Sequence, residues 1–147
     1  MKRLFLTGIV AISFAGCSSA QKTEKEGKDS KIPVTVQDAF KKQFPTITDM
    51  DWEQEGPNYE AEFENGEVET SVVINASGVI LETETEMEPS ALPKAILDYL
   101  DTNYKGQKIK EAAKIVLSNG TVNYEAEVNK KDLIFDNTGT FIKVITE

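Results

Sequence analysis

The sequence predicts an α+β domain built by tandem duplication, and two observations carry this prediction. The hexapeptide NYEAEF at residues 58–63 returns as NYEAEV at residues 123–128, and an amphipathic helical pattern precedes each hexapeptide. We therefore expect two copies of a helix followed by about four antiparallel strands, at residues 33–89 and 90–147. Both are expected to share one continuous sheet, with the two helices packed on one face.

Each copy begins with a short run of helical apolar spacing. In the first copy, Thr35 and Asp38 form a start that resembles a capping box, and Pro45 closes the run. In the second copy, Ser90 opens the run and Pro93 lies in the first turn, where its missing N–H costs little. The expected apolar faces consist of Val36, Ala39, Phe40 and Phe44 in the first helix and of Leu92, Ile96, Tyr99 and Leu100 in the second.

Alternating runs after each helix predict strands. A first strand is expected around Trp52 and again over residues 109–117, although residues 111–114 also fit a helix. The two hexapeptides are the second strands, and the pair Asn65-Gly66 is a strong signal for a two-residue hairpin. Matching turns between the third and fourth strands are expected at residues 75–78 and 136–139.

The beginning of the chain is expected to lie outside the folded domain. Residues 1–17 have a positive start, a short apolar run and small residues before a cysteine, which is the order of a secretory signal. The end of this stretch resembles a bacterial lipobox, which implies lipid on Cys17 and anchoring to a membrane by lipid alone. Ser18 suggests the outer membrane, and the side that the protein faces stays open. Residues 18–31 are polar and predict a flexible tether, so residues 32–147 form the single domain.

The composition argues against several kinds of site. The 147 residues include no histidine, one cysteine, and 16 basic against 25 acidic residues, for a net charge of −9. Disulfides, Ser-His triads and zinc sites of the usual ligand types are therefore not expected. The chain has no nucleotide-binding glycine loop, and an acidic domain does not suit nucleic acid. We predict a protein that is not an enzyme and that has no cofactor and no metal site.

A family resemblance is carried by structural motifs. They are Phe44-Pro45 at the end of the first helix, Asp51-Trp52-Glu53, residues 59–63 and residues 72–78. This pattern resembles the PepSY-like, β-lactamase-inhibitor-like domains of bacterial envelope lipoproteins, and the resemblance includes the duplication. It implies a binding function in which the open face of a tandem-repeat sheet grips an enzyme. The chain differs from the characterised inhibitors in lacking disulfides and in having few aromatic residues on the expected open face.

The first hexapeptide also predicts which side chains share a face. Tyr59, Ala61 and Phe63 should meet the helices, whereas the glutamates between them should point to the open face. If Asn65-Gly66 is the turn, Glu64 pairs with Glu67, and Ile74 should face Val79 across the next turn. The open face of the first copy would then hold Ser71 together with Glu60, Glu62, Glu64, Glu67, Glu69, Glu82, Glu84 and Glu86.

The charge of the chain is concentrated in its first copy. Residues 33–89 contain fourteen acidic and two basic residues, whereas residues 90–147 contain eight of each. This asymmetry suits a docking face for an envelope or secreted protein or peptide with a basic patch. The alternatives are a solvated face that keeps the protein soluble, a structural or stress-related envelope module, and calcium binding. A flat grid of carboxylates converges poorly on one calcium ion.

Apolar residues are also expected on the open face, near the two glycine-containing turns. Val73 should pair with Ile80, and Ile134 with Phe141, with Ile145 further along. These five residues define the expected apolar strip. The strip is either covered by the tether or the other copy, or forms part of the partner-binding surface. The sequence therefore predicts a non-catalytic envelope lipoprotein that binds a protein or peptide in an inhibitor-like way.

Overall fold

The computed structural model describes residues 31–146, so Cys17 and nearly all of the expected tether lie outside the described residues. The helices are α1 (Val34–Gln43), α2 (Lys94–Asn103) and a short 3₁₀ helix (Pro89–Ala91). The strands are β1 (Asp51–Glu55), β2 (Asn58–Asn65), β3 (Val68–Asn75), β4 (Ile80–Glu86), β5 (Ile109–Leu117), β6 (Val122–Val128), β7 (Lys131–Asp136) and β8 (Phe141–Thr146). In this part of the chain, no helix has the length and apolar character needed to cross a membrane.

All eight strands form one sheet in the order β1 to β8, and each strand is antiparallel to the next. The order of one helix and four strands therefore occurs twice, and β4 joins β5 to make the sheet continuous. The predicted α+β fold with one continuous sheet is confirmed. Residues 111–114 lie inside β5, so the helical alternative for them is wrong. Pairing with β4 and β6 outweighs the helix propensity of this short segment.

Each helix packs against strands of its own repeat. In the first repeat, the ring of Phe40 lies 5.4 Å from that of Trp52 and 5.2 Å from that of Phe63. In the second repeat, the ring of Tyr99 lies 5.3 Å from that of Phe135. The first cluster comprises the buried residues Ile32, Val36, Phe40, Trp52, Ala61, Phe63, Val72 and Ile74. The second comprises Leu92, Ile96, Leu100, Ala112, Ala126, Val128, Leu133 and Phe135.

The helix starts differ from the predicted capping. Pro33 and Pro93 occupy the N-cap positions, and neither helix has a side-chain cap hydrogen bond. The hydroxyl of Thr35 instead donates to the carbonyl oxygen of Ala76, 2.9 Å away. Ser90 lies in the 3₁₀ helix before α2. The expected capping box is therefore wrong, because the Thr35 side chain connects α1 to the β3–β4 turn.

The β3–β4 and β7–β8 turns have the same construction and both contact a helix. In each, the Oδ1 atom of Asn75 or Asp136 accepts backbone N–H groups two and four residues later, at 2.9 to 3.0 Å. Gly139 has a φ of +87°, and a Cβ atom there would lie 2.6 Å from the Cβ of Ala95 in α2. The equivalent Gly78 has a φ of +82° and approaches the carbonyl oxygen of Thr35. Glycine is needed at both positions for its conformation and for the close approach.

The β2–β3 hairpin has a different register from the one expected. Asn65 pairs with Val68 and Glu64 with Glu69, so the turn residues are Gly66 and Glu67. Gly66 has a φ of +76°, whereas Glu67 does not have a positive φ, which fits a turn with glycine at its first central position. The expected pairing of Glu64 with Glu67 is wrong by two residues. Because side chains alternate with a period of two, the glutamates of β2 keep their face.

A β-bulge changes the face of Ile80 in the first repeat. Val73 pairs with Glu82, but its neighbour Ile74 pairs with Ile80, so Leu81 is an extra residue. One extra residue reverses the facing of the residues beyond it. Ile80 therefore packs against the first apolar cluster, and its expected place on the open face is wrong.

The second repeat has a bulge at the equivalent point. Ile134 pairs with Lys143 and Phe135 with Phe141, which leaves Ile142 as the extra residue. Phe141 packs against the second apolar cluster, and its ring stacks on that of Tyr99 at a centroid distance of 5.4 Å. The expected place of Phe141 on the open face is therefore wrong for the same reason.

Candidate functional site

The register of β1–β4 brings many carboxylates to one side of the sheet, since paired residues of neighbouring strands share a face. One row across these strands consists of Asp51, Glu62, Ser71 and Glu84. The next row consists of Glu53, Glu60, Val73 and Glu82. We define the acidic face by the carboxylates of Asp51, Glu53, Glu55, Glu60, Glu62, Glu64, Glu69, Glu82, Glu84 and Glu86.

Most of the glutamates singled out in the sequence lie on the acidic face. Glu67 does not, because it is a turn residue between β2 and β3. The β1 carboxylates Asp51, Glu53 and Glu55 lie on the acidic face but were not among the predicted site residues. Their signal is the alternation Asp-Trp-Glu-Gln-Glu, in which Trp52 is buried and its two neighbours are exposed.

Burial and like charge act together on the acidic face. Glu60 and Glu84 are each only 4% exposed. Burial raises the pKa of Glu62 above its ordinary value, and the negative charges of Glu69, Glu53 and Asp51 raise it further. No lysine or arginine occurs between residues 43 and 93, so β1–β4 supply no positive charge.

In the second repeat, two carboxylates form ion pairs with a lysine. The Nζ atom of Lys110 lies 3.0 Å from a carboxylate oxygen of Glu111 and 3.0 Å from one of Glu127. Hydrogen bonds to Glu127 and Glu111 raise the pKa of Lys110. Lys143 lies on the same side of the sheet, paired with Ile134. The two repeats therefore share a fold but differ in charge balance on this side.

The remaining members of the expected apolar strip are separated in the sheet. Val73 lies in the acidic face between Glu60 and Glu82. Ile134 of β7 is only 4% exposed, whereas Ile145 of β8 is 39% exposed. With Ile80 and Phe141 on the other side, these residues do not form a continuous apolar strip.

Two depressions adjoin the acidic face. The smaller has a volume of about 10 Å³ and is lined by Glu60, Glu62, Glu69, Thr70, Ser71, Glu84 and Glu86, which is room for about one water molecule. The larger is an open cleft of about 490 Å³ between residues 46–51 and the β2–β3 hairpin. Apolar side chains of Ile47, Met50 and Phe63 line it beside acidic ones. Among the described residues, no group of three or more His, Cys, Asp or Glu is arranged to hold a metal ion.

Comparison with known families identifies the fold. The family model described as "Putative beta-lactamase-inhibitor-like, PepSY-like" matches residues 18–82 and, a second time, residues 57–143. The chain belongs to this family. The model matches twice, as expected for a repeated unit, and the two matches overlap at residues 57–82. The resemblance inferred from the sequence motifs is confirmed. Comparison with the curated proteins finds no match.

Solved structures of Bacteroides proteins share the fold. A BLIP-like protein from Bacteroides fragilis is 28% identical, with a TM-score of 0.61 over 81% of this chain and 92% of that chain. A protein from Bacteroides eggerthii that is described as periplasmic is 18% identical, with a TM-score of 0.70 over 77% of this chain and 87% of that chain. A DUF2874 family protein from Bacteroides uniformis is 21% identical, with a TM-score of 0.69 over 77% and 88%. The last two similarities show the fold alone.

Proposed function

We propose that this protein is a non-catalytic envelope module that binds a basic protein or peptide through the acidic face. The observation that carries the proposal is the register of β1–β4, which gathers carboxylates from four strands in a stretch without lysine or arginine. Glu64 is directly opposite Glu69, and Glu53 is directly opposite Glu60. Like charges in such pairs are unfavourable, so a positively charged partner relieves repulsion on this face.

In this proposal both helices lie on the side of the sheet opposite the acidic face. One row of paired residues supports this arrangement. The row runs across the sheet from Phe63, in the first apolar cluster, to Phe135, in the second. Each cluster contains residues of one helix. The row consists of Phe63, Thr70, Thr85, Lys114, Tyr124 and Phe135.

The open cleft beside the β2–β3 hairpin suggests how a partner is gripped. Its walls combine apolar atoms of Ile47, Met50 and Phe63 with the carboxylates of Glu62 and Glu64. Lysine and arginine side chains combine an apolar stem with a charged end, so they suit such walls. Arginine adds paired hydrogen bonds to a carboxylate. A basic residue of the partner is therefore proposed to enter this cleft.

Family membership supports an inhibitor-like mode of binding, in which an envelope or secreted protein is bound and blocked. The similarity to the BLIP-like Bacteroides fragilis protein favours this mode, and the periplasmic description of the Bacteroides eggerthii protein favours an envelope location. The proposal includes a signal at residues 1–17, lipid on Cys17, an outer-membrane anchor, a tether at residues 18–31 and one domain at residues 32–147.

The proposal is tested by capture with matched charge variants. The purified protein is immobilised, an envelope extract of its own organism is passed over it, and retained proteins are eluted with a salt gradient. The face variant carries Glu53→Gln, Glu64→Gln and Glu82→Gln, one change on each of β1, β2 and β4. Exposed ion pairs contribute about 0.2 to 1 kcal/mol each. Loss of three ion pairs should therefore weaken binding of a retained protein by about tenfold.

The control variant removes the same charge from other surfaces. It carries Asp38→Asn on α1, Glu88→Gln after β4 and Asp101→Asn on α2, all of them exposed residues. We expect it to retain the same proteins at the same salt concentration as the unmodified protein. Equal loss of binding in both variants would show only a dependence on net charge. Retention that neither variant changes would contradict the acidic face as the binding surface.

A further inference from the structure

The described residues contain two Asn-Gly pairs, Asn65-Gly66 and Asn119-Gly120, both exposed. Asparagine is chemically labile when glycine follows it, because glycine has no Cβ to hinder attack by its backbone nitrogen on the asparagine side chain. The fold holds the two pairs differently. The hydrogen bonds of the two turns therefore decide which asparagine can react.

Asn119 is restrained by its turn. The N–H of Gly120, which contains the attacking nitrogen, donates to the carbonyl oxygen of Leu117 at 2.8 Å. The Oδ1 atom of Asn119 accepts the N–H of Thr121 at 2.9 Å. Reaction at Asn119 requires that both hydrogen bonds break. The turn therefore protects this asparagine.

Asn65 lacks these restraints. Within residues 31–146, its side-chain amide makes no hydrogen bond, and neither does the backbone N–H of Gly66. Asn65 is the last residue of β2 and pairs with Val68 across the turn. Strand ends at a hairpin tip open more readily than strand centres, so the attacking nitrogen and the side-chain amide can approach each other.

We propose that Asn65 is a site of spontaneous deamidation and that Asn119 is not. The Gly66 nitrogen attacks Cγ of Asn65, a C–N bond forms, the Cγ–Nδ2 bond breaks, and ammonia leaves with the proton from the Gly66 N–H. Water then opens the resulting cyclic imide at either carbonyl, which gives aspartate or isoaspartate at position 65. Both products add one negative charge beside the Glu64–Glu69 pair. Isoaspartate also lengthens the main chain by one methylene at the tip of the hairpin.

The test is peptide mapping by mass spectrometry after incubation of the folded protein at mildly alkaline pH. Breaking a hydrogen bond costs free energy, and a tenfold difference in rate corresponds to about 1.4 kcal/mol. With two bonds to break at Asn119, we expect Asn65 to convert about tenfold faster. Asn65→Gln, which keeps the amide but disfavours cyclisation, should remove the fast conversion from the map.

The same measurement in denaturant is the control, because it removes the hydrogen bonds of both turns. The two sites should then convert at similar rates, which assigns the difference in the folded protein to the fold. Equal rates in the folded protein, faster conversion of Asn119, or no conversion of Asn65 would each overturn the inference. None of these results depends on the proposed binding partner.

Discussion

At the scale of one residue, the environment of the acidic face raises the pKa of Glu62. Glu62 pairs with Asp51 on one side and with Ser71 on the other. Burial and the neighbouring carboxylates raise its pKa. A raised pKa means that the folded protein holds the proton of Glu62 more tightly than the unfolded chain does. The ionised side chain therefore opposes folding at neutral pH.

We predict that Glu62→Gln raises the free energy of unfolding at neutral pH. Below the ordinary pKa of 4.5, Glu62 is protonated in both states and the variant should lose its advantage. As the pH rises through the raised folded-state pKa, the unmodified protein loses stability and the difference grows. Urea unfolding across this pH range measures the effect. Asp101→Asn on α2 is the control, with an expected change within about 0.5 kcal/mol.

A lower free energy of unfolding for Glu62→Gln at neutral pH would contradict this prediction. It would mean that the ionised carboxylate makes a net favourable interaction in the folded protein.

The bulge in β8 places the adjacent residues Phe141 and Ile142 in different environments. Phe141 contacts the rings of Tyr99 and Phe135, whereas Ile142 is 49% exposed. We predict that Phe141→Ala lowers the free energy of unfolding by about 2 kcal/mol or more. Ile142→Ala should change it by about 0.5 kcal/mol or less. Urea unfolding of the two variants measures the difference, and equal effects would contradict the assigned bulge.

At the scale of elements, each β-hairpin turn after β3 or β7 supports a helix of the same repeat. Gly139 meets Ala95 of α2, whereas Gly120 in the β5–β6 turn has a similar φ of +82° and no atom near the place of a Cβ. We predict that Gly120→Ala costs about 1 to 2 kcal/mol through its backbone conformation alone. Gly139→Ala should cost about 1 to 3 kcal/mol more, because its methyl group overlaps Ala95. Chemical unfolding of both variants measures the two losses of free energy of unfolding, and their difference is the steric contribution at Gly139. Equal losses would contradict the prediction and would mean that α2 moves to accommodate the methyl group.

Elements that depend on local patterns could be predicted from the sequence, but pairing details could not. The helices and the repeated strands follow from apolar spacing, and the glycines at the equivalent turns follow from the matching motifs. The position of the turn at Gly66 could not be predicted, because Asn65-Gly66 fits two hairpin registers. The bulges at Leu81 and Ile142 could not be predicted either, because nothing in the local alternation of apolar and polar residues marks an extra residue. Each one reverses a face, which is why Ile80 and Phe141 were placed wrongly.

At the scale of the whole molecule, the two repeats have the same order of helix and strands but different surface charge. The first repeat carries fourteen acidic and two basic residues, and the second carries eight of each. In the second repeat Lys110 bridges Glu111 and Glu127, whereas β1–β4 contain no basic residue. This asymmetry is expected to orient the proposed basic partner toward the first repeat. At physiological ionic strength, salt screens the attraction between exposed charges beyond about 8 Å. Binding is therefore expected to involve mainly the first repeat.

The central claim is that a basic partner binds the acidic face, and mapping the bound partner by nuclear magnetic resonance tests it most directly. The labelled protein is titrated with the partner that the capture experiment retains, and changes in the backbone amide signals are followed. We predict the largest changes in the row that contains Glu62, Ser71 and Glu84, and small changes on the exposed surfaces of α1 and α2. Largest changes on the helices, or on β7 and β8, would contradict the claim.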